Sequence, residues 1–383
     1  MYLTHGCSPL CRVEPSWLGP SPQPRTLRWH GATRRHRRCP VHTGHRYVSL
    51  VRMARPKATQ LSLIDEVIAM DSREVPLLAY SLPEMTLAYL PKRRPPDTNR
   101  VYTHYNGDLA LTVTAGTNPA DGSGTGLPYG PKARLVAAKL NAEAVLTQSP
   151  VISLGKSVSG FLAGLGLAST GGKTGTRNLV GEQLKRWARC SIQITWASDA
   201  GNSERDRGGS MPIAKGWDFW FDRKENPTHP VHESELVFAT DYFNALIANP
   251  VPANLEAYQI LGHSAMAMDL YTWTAARLWR LRRPVTIPWL LLAEQFGTGG
   301  LPADPRARSK YVYEVKRDIE AQMPVVLAVY HEAKVDWTPT GMTLRPSNPH
   351  IAPPGGHGLA GTRRAATLPA RRFRAELADR PRT

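Results

Sequence analysis

Asn178, Glu182, Lys185 and Arg189 follow one another at steps of four, three and four, so they share one side of a helical wheel between Thr176 and Arg189. Val180, Leu184, Trp187 and Ala188 share the other side. A core-facing stripe backing a cationic one is the pattern of a helix anchored by packing and offered to a phosphate-lined groove. Asn178, Lys185 and Arg189 are the side chains best placed for base edges, and Arg177 opens the same helix. Arg186 lies further round the wheel and is assigned to backbone phosphate. Glu182 suits a cytosine amino group or opposes phosphates. Arg306, Lys310, Tyr313 and Arg317 lie on one face of a later segment, opposite Val312, Val315, Ile319 and Met323. The cations there suit phosphate or guanine, and Tyr313 can bond or stack. A solvated face is the bland alternative for either helix, but a second copy favours two DNA-reading modules.

Other motifs have plainer readings. Thr170–Thr174 (Thr-Gly-Gly-Lys-Thr) resembles a phosphate-binding loop, which needs Gly four residues before the Gly-Lys pair. Leu167 stands there instead. The segment before it predicts helix, whereas such a loop is presented by a strand. A turn between helices is the better reading, with Lys173 within reach of a DNA phosphate. Arg280, Arg282 and Arg283 close a predicted helix, where they meet its dipole or a phosphate. Trp217, Phe219, Trp220 and Phe221 fit alternating burial on a strand better than a base-stacking platform. His263 and Ser264 have no acidic orienter, and no Asp cluster has metal-ligand spacing, so the residues build no catalytic site. Cys7, Cys11, Cys39, His36, His42 and His45 match no zinc pattern. No cofactor and no metal is expected.

The elements that must position these residues follow from periodicity and turn chemistry. A short helix is predicted over Gln60–Ala69. A hairpin is predicted over Tyr102–Tyr105 and Leu109–Thr114, about Asn106-Gly107. From Leu127 the pattern runs helix Lys132–Leu146, strand Val151–Leu154, helix Val158–Leu165, a Gly-rich turn, and the helix from Thr176. A ribbon is then predicted in which Ser191–Ala197 pairs with Lys215–Phe221 across the tip Ser198–Ser210. The same order recurs later. It runs through strand Glu235–Ala239, helix Asp241–Ala248, helix Ala265–Leu281 capped by Ser264, and strand Val285–Ile287. A helix with Pro288 at its first turn follows, then helix Arg306–Met323 stopped or kinked by Pro324. Strands Lys334–Thr338 and Met342–Arg345 come last. The fold class is α+β, mostly helical, with tandem winged-helix domains and disordered basic extensions at both ends. The expected divisions are 1–52 (basic, disordered), 53–126 (helix, hairpin and Gly-rich linker), 127–230 and 231–350 (winged helices), and 351–383 (basic tail).

Charge supports this division. Of the formal +17, residues 1–52 supply nine Arg against one acid and residues 351–383 seven Arg against two acids, which leaves +4 for the middle. DNA contact there must come from local patches rather than a positive body. The change in composition at Met53 suggests a natural start at that residue. Cys190 is alone in the middle, which fits a reducing compartment. No apolar run approaches the roughly 20 residues needed to span a bilayer, so a soluble cytoplasmic protein with no membrane partner is expected.

Several short motifs, in order, resemble the plasmid-encoded RepA replication initiator family. They are Leu127-Pro128-Tyr129-Gly130, the stretch Phe161–Gly172 closing in Thr-Gly-Gly, and Asp269-Leu270-Tyr271-Thr272-Trp273. Arg282-Arg283-Pro284 leading to Ile287-Pro288-Trp289, Gln295-Phe296-Gly297 and Leu344-Arg345-Pro346-Ser347 before Pro349-His350 continue the series. The resemblance spans roughly residues 75–350. It implies initiation of plasmid replication in a bacterium, with double-stranded origin repeats and host replication proteins as partners, and a homodimer as a further assembly state. Related iteron-binding initiators use tandem winged helices for this. A transcriptional repressor with the same modules is the alternative, and a P-loop enzyme a more distant one.

Overall fold

The computed structural model describes residues 58–118, 121–199, 204–219 and 233–352. The expectations for residues 1–52, for the tail beyond 352, and for Trp220 and Phe221 fall outside these.

Leu63, Val67 and Met70, at steps of four and three, turn one side of helix α1 (Ala58–Asp71) toward the core. Arg73 ties its end to Glu256 at 2.5 Å. Strand β1 (Leu78–Ser81) follows. Strands β2 (Val101–Asn106) and β3 (Leu109–Thr114) form the predicted hairpin, whose turn needs Gly107 at φ +55°.

The next eight elements are α2 (Gly130–Thr147), β4 (Val151–Gly155), α3 (Val158–Gly164), α4 (Thr176–Arg189), β5 (Ser191–Asp199), β6 (Glu204–Pro212), β7 (Ala214–Asp218) and β8 (Ser234–Phe238). Then come α5 (Thr240–Ala248), β9 (Val251–Asn254), α6 (Leu255–Ile260), α7 (Ala265–Arg277), β10 (Val285–Pro288), α8 (Trp289–Phe296), α9 (Pro305–Val329), β11 (Val335–Trp337) and β12 (Gly341–Leu344). Among the described residues 43% are helical and 23% are strand, so the fold is a mixed α and β one in which helix predominates without forming the majority.

Two antiparallel sheets share one plan. In β4–β8–β7 and in β10–β12–β11, the strand after the first helix pairs with the last strand, which pairs with the one before it. Each sheet accompanies three helices in the order helix, strand, helix, helix: α2, β4, α3, α4 in the first module and α7, β10, α8, α9 in the second.

Three expectations are corrected. Ser191–Ala197 pairs with β6 and not with Lys215–Phe221. The β6 sequence hid this because an edge strand open on both faces needs no apolar alternation. The resulting β5–β6 ribbon joins the hairpin in a four-stranded sheet, β2–β3–β5–β6. The strand near Glu235–Ala239, expected to open the second module, completes the first sheet as β8. Helix α9 runs through Pro324, which is exposed, so the Glu320 carbonyl it leaves unpaired can turn to water. Val326 and Val329 beyond it are buried and hold the last turns. The pairing of β1 with β9 was not legible, since it joins segments about 170 residues apart.

One continuous core runs from Met70 to Leu344. The Asp-Leu-Tyr-Thr-Trp run lies within it. The Tyr271 hydroxyl accepts from the Asn254 amide at 2.8 Å and donates to His350 Nδ1 at 2.7 Å. Thr272 and Tyr258 share a 2.5 Å bond, and Trp273 meets Phe296 edge-on. These residues hold helices together and touch no solvent-facing site.

Burial pushes His350 down to about 4, with Asp71, His331 and Glu332 nearby. Burial and then Lys92 push His104 down to about 4. Both folded values lie below the ordinary value of 6.5, so the fold favours neutral rings. Their contribution is complete above about pH 6.5 and is lost as the pH falls toward 4, at about 1.4 kcal/mol per unit for each ring. The urea midpoint should therefore fall between pH 7 and pH 5, and His350→Gln should shallow that fall. Equal midpoints at the two pH values would refute the assignment.

Candidate nucleic-acid interface

Helix α4 starts abruptly because the turn before it is stapled. Thr170 N donates to Thr176 Oγ1 at 3.0 Å and Thr176 N donates back to Thr170 Oγ1 at 2.9 Å. Gly175 fits only without a side chain, since a Cβ there would lie 2.2 Å from the Gly171 carbonyl oxygen. Val180, Leu184, Trp187 and Ala188 are buried, as their periodicity requires.

On the outer side Arg177, Asn178 and Lys185 are exposed, and Lys173 is exposed on the turn. Arg177 Nε donates to Ser169 Oγ at 2.6 Å and Asn178 Nδ2 to the Gly172 carbonyl at 2.7 Å, so both are held relative to the turn. Arg189 is half-buried, its guanidinium 5.4 Å from the centre of the Trp217 ring. The turn follows helix α3 and not a strand, so it lacks the element that presents a nucleotide-binding loop.

Arg186 is a correction. Its side chain is 5% exposed, so it cannot be offered to backbone phosphate. It donates to the Leu127 carbonyl at 2.9 Å, pairs with Glu182, and lies 3.5 Å from Asp97. Gly126, at φ +76°, makes room, because a Cβ there would sit 2.6 Å from the guanidinium. The wheel failed here because a preceding segment covers that side of α4. Arg186→Ala should cost about 1–3 kcal/mol of stability, the penalty for stranding buried polar partners, and leave the salt dependence of DNA binding unchanged. A shallower salt slope at wild-type stability would restore the phosphate role.

The covering segment adds a cation that sequence reasoning missed. Arg94 is exposed, gripped by Asp97 at 2.9 Å, and 3.8 Å from Glu182 on α4. The run Lys92-Arg93-Arg94 was visible as charge, but no spacing rule places it beside a helix some 85 residues later.

Helix α9 starts at Asp304, whose carboxylate accepts from the Ala307 amide at 2.7 Å. Arg306, Lys310, Tyr313 and Arg317 are all exposed, Tyr313 by 66%. Val315, Ile319 and Met323 are buried behind them and Val312 is partly buried. Lys310 reaches Glu314 at 3.9 Å and Arg317 reaches Asp318 at 3.1 Å. Such exposed pairs are weak and easily exchanged for phosphate. Arg308 is exposed as well and braces the preceding loop through the Pro302 and Ala303 carbonyls. Arg280, Arg282 and Arg283 are exposed in the connection from α7 to β10, with Arg280 4.9 Å over Trp279. The expected residues thus fall into three groups: α4 with its turn, the α7–β10 connection, and α9.

The family model described as plasmid encoded RepA protein matches residues 127–289. Over these residues the chain is similar to that family. The RepA match takes in all of the first module and ends at the first residue of α8, so it includes α4 and excludes α9. The motifs Gln295-Phe296-Gly297 and Leu344-Arg345-Pro346-Ser347 lie beyond it. No curated protein matches the chain at a significant level. Two crystal structures of domains 2 and 3 of RctB align at 10% identity. One alignment covers 65% of this chain and 83% of that one at a TM-score of 0.38. The other, a selenomethionine derivative, covers 66% and 93% at 0.39. Likeness at that level decides neither fold nor mechanism. Among the described residues no helix is long and apolar enough to cross a membrane.

Proposed function

We propose that the chain initiates plasmid replication by binding repeated double-stranded sites at an origin through two winged-helix modules. Helices α4 and α9 occupy the position of the third helix in each module, the one that enters the major groove in such folds. The reading is carried by the repeated plan: helix, strand, helix, helix and a closing pair of strands, with the same strand order in both sheets, the β5–β6 ribbon being inserted before that pair in the first module. Chance could give one basic helix. It would not give two at the same place in the same topology.

In this reading Asn178, Lys185, Arg189, Lys310 and Arg317 read bases, with Arg177, Arg306 and Tyr313 beside them. Lys173, Arg94 and the Arg280–Arg283 group hold phosphate. The role is non-enzymatic: origin opening draws on binding and bending of repeated sites, and host replication proteins are recruited to the result. A footprint on DNA flanking the chain's own gene, at near-physiological salt with excess random competitor, tests it. Regularly spaced protected repeats are expected, together with maintenance of a plasmid carrying that DNA. Protection without maintenance would mark a repressor, and no protection above random DNA would sink both.

A further inference from the structure

We infer that the buried Arg134–Asp269 pair is a positioning device that fixes the placement of α4 relative to α9, and with it the spacing of the DNA segments the chain accepts. The inference rests on the DNA-binding reading above.

Helix α4 packs on α2, and α9 packs on α7. The path between the two exposed helices therefore runs through the contact of α2 with α7. Arg134 on α2 and Asp269 on α7 meet there, with side chains only 7% and 6% exposed. The fork is bidentate: Arg134 Nε donates to Asp269 Oδ1 at 2.6 Å and Nη2 to Oδ2 at 2.8 Å. The other donors are also used. Nη1 reaches the Gly130 and Pro91 carbonyls at 3.0 and 3.3 Å, and Nη2 reaches the Leu90 carbonyl at 2.8 Å. Lys92, next in line, donates to the Phe296 carbonyl at the end of α8. One planar group thus clasps α2, Leu90, Pro91 and the second module.

Packing does not fix this joint on its own. Arg134, Ala137, Ala138 and Asn141 of α2 face Asp269 and Thr272 of α7 across a cavity of about 40 Å³. That is room for water, so neighbouring apolar contacts leave slack. A buried ion pair is seldom more stable than a well-packed apolar pair of similar volume. What the planar fork adds is direction: five donors and two acceptors satisfied in one relative placement.

The test uses the full chain on DNA flanking its own gene. Hydroxyl-radical footprints of Lys185→Ala/Arg189→Ala and of Lys310→Ala/Arg317→Ala first assign which protected segment belongs to which helix. Duplexes with one to five base pairs inserted between those segments then turn one relative to the other by about 35° per pair. Wild type should lose at least tenfold in affinity on the first insertion. The apolar double variant Arg134→Met/Asp269→Leu should melt as cooperatively as wild type and lose less than threefold. If that variant does not fold, Arg134→Lys, which keeps the charge but loses the fork, should show an intermediate loss. A folded variant with the full tenfold loss overturns the inference, as does a wild type that binds both segments but ignores spacing. A wild type that protects no segment instead overturns the DNA-binding reading.

Discussion

Asp269→Ala is expected to lower the unfolding free energy by about 3–5 kcal/mol, the usual cost of removing one partner from a buried ion pair. The guanidinium of Arg134 would remain at 7% exposure with its bidentate acceptor gone. The Leu90, Pro91 and Gly130 carbonyls that it also serves cannot supply a countercharge. Burial already works against the pair, raising the Asp269 carboxyl while Arg134 pulls it down. That opposition is why the loss of one partner costs more than the loss of both. Arg134→Met/Asp269→Leu should accordingly recover most of the stability. Urea unfolding of the two single variants and the double variant gives the cycle, and a loss below about 1 kcal/mol for Asp269→Ala would show that water reaches the pair.

The second large effect is expected on binding. Arg306, Lys310 and Arg317 are exposed on one face of α9, opposite the buried Val315, Ile319 and Met323. Replacing all three by alanine touches no core contact, so the melting temperature should stay within a few degrees. Each removed phosphate contact should flatten the slope of log affinity against log salt by about 0.9. Each removed base contact should cost about 1–3 kcal/mol and relax preference at its position. The triple variant should therefore approach its non-specific affinity with a markedly shallower slope. An unchanged slope would take α9 out of the interface and leave α4 as the only reader. The RepA match includes α4 and ends before α9, which makes that outcome informative in itself.

The contrast between the two helices also marks what residue patterns can convey. For α9 every outward residue of the wheel is outward in the fold, because no other described segment lies over that face. For α4 the wheel was right about Val180, Leu184 and Trp187 and wrong about Arg186. A wheel describes one helix in isolation. It has no term for Asp97 and Leu127, which arrive from elsewhere in the chain and turn a surface arginine into a buried strut.

The sequence by itself determined what is local. The Asn106-Gly107 hairpin, the Ser264 and Thr176 helix starts and the apolar stripes of α4 and α9 are set by turn chemistry and 3.6-residue periodicity, and the RepA-like words stand in the sequence itself. Only the tertiary structure decided what depends on distant partners: β6 beside β5, β8 closing the first sheet, β1 against β9, and Arg134 locked to Asp269. Those pairings gain energy only when segments far apart in the chain meet. An edge strand without alternation and an arginine in an alanine-rich helix carry no local sign of that meeting.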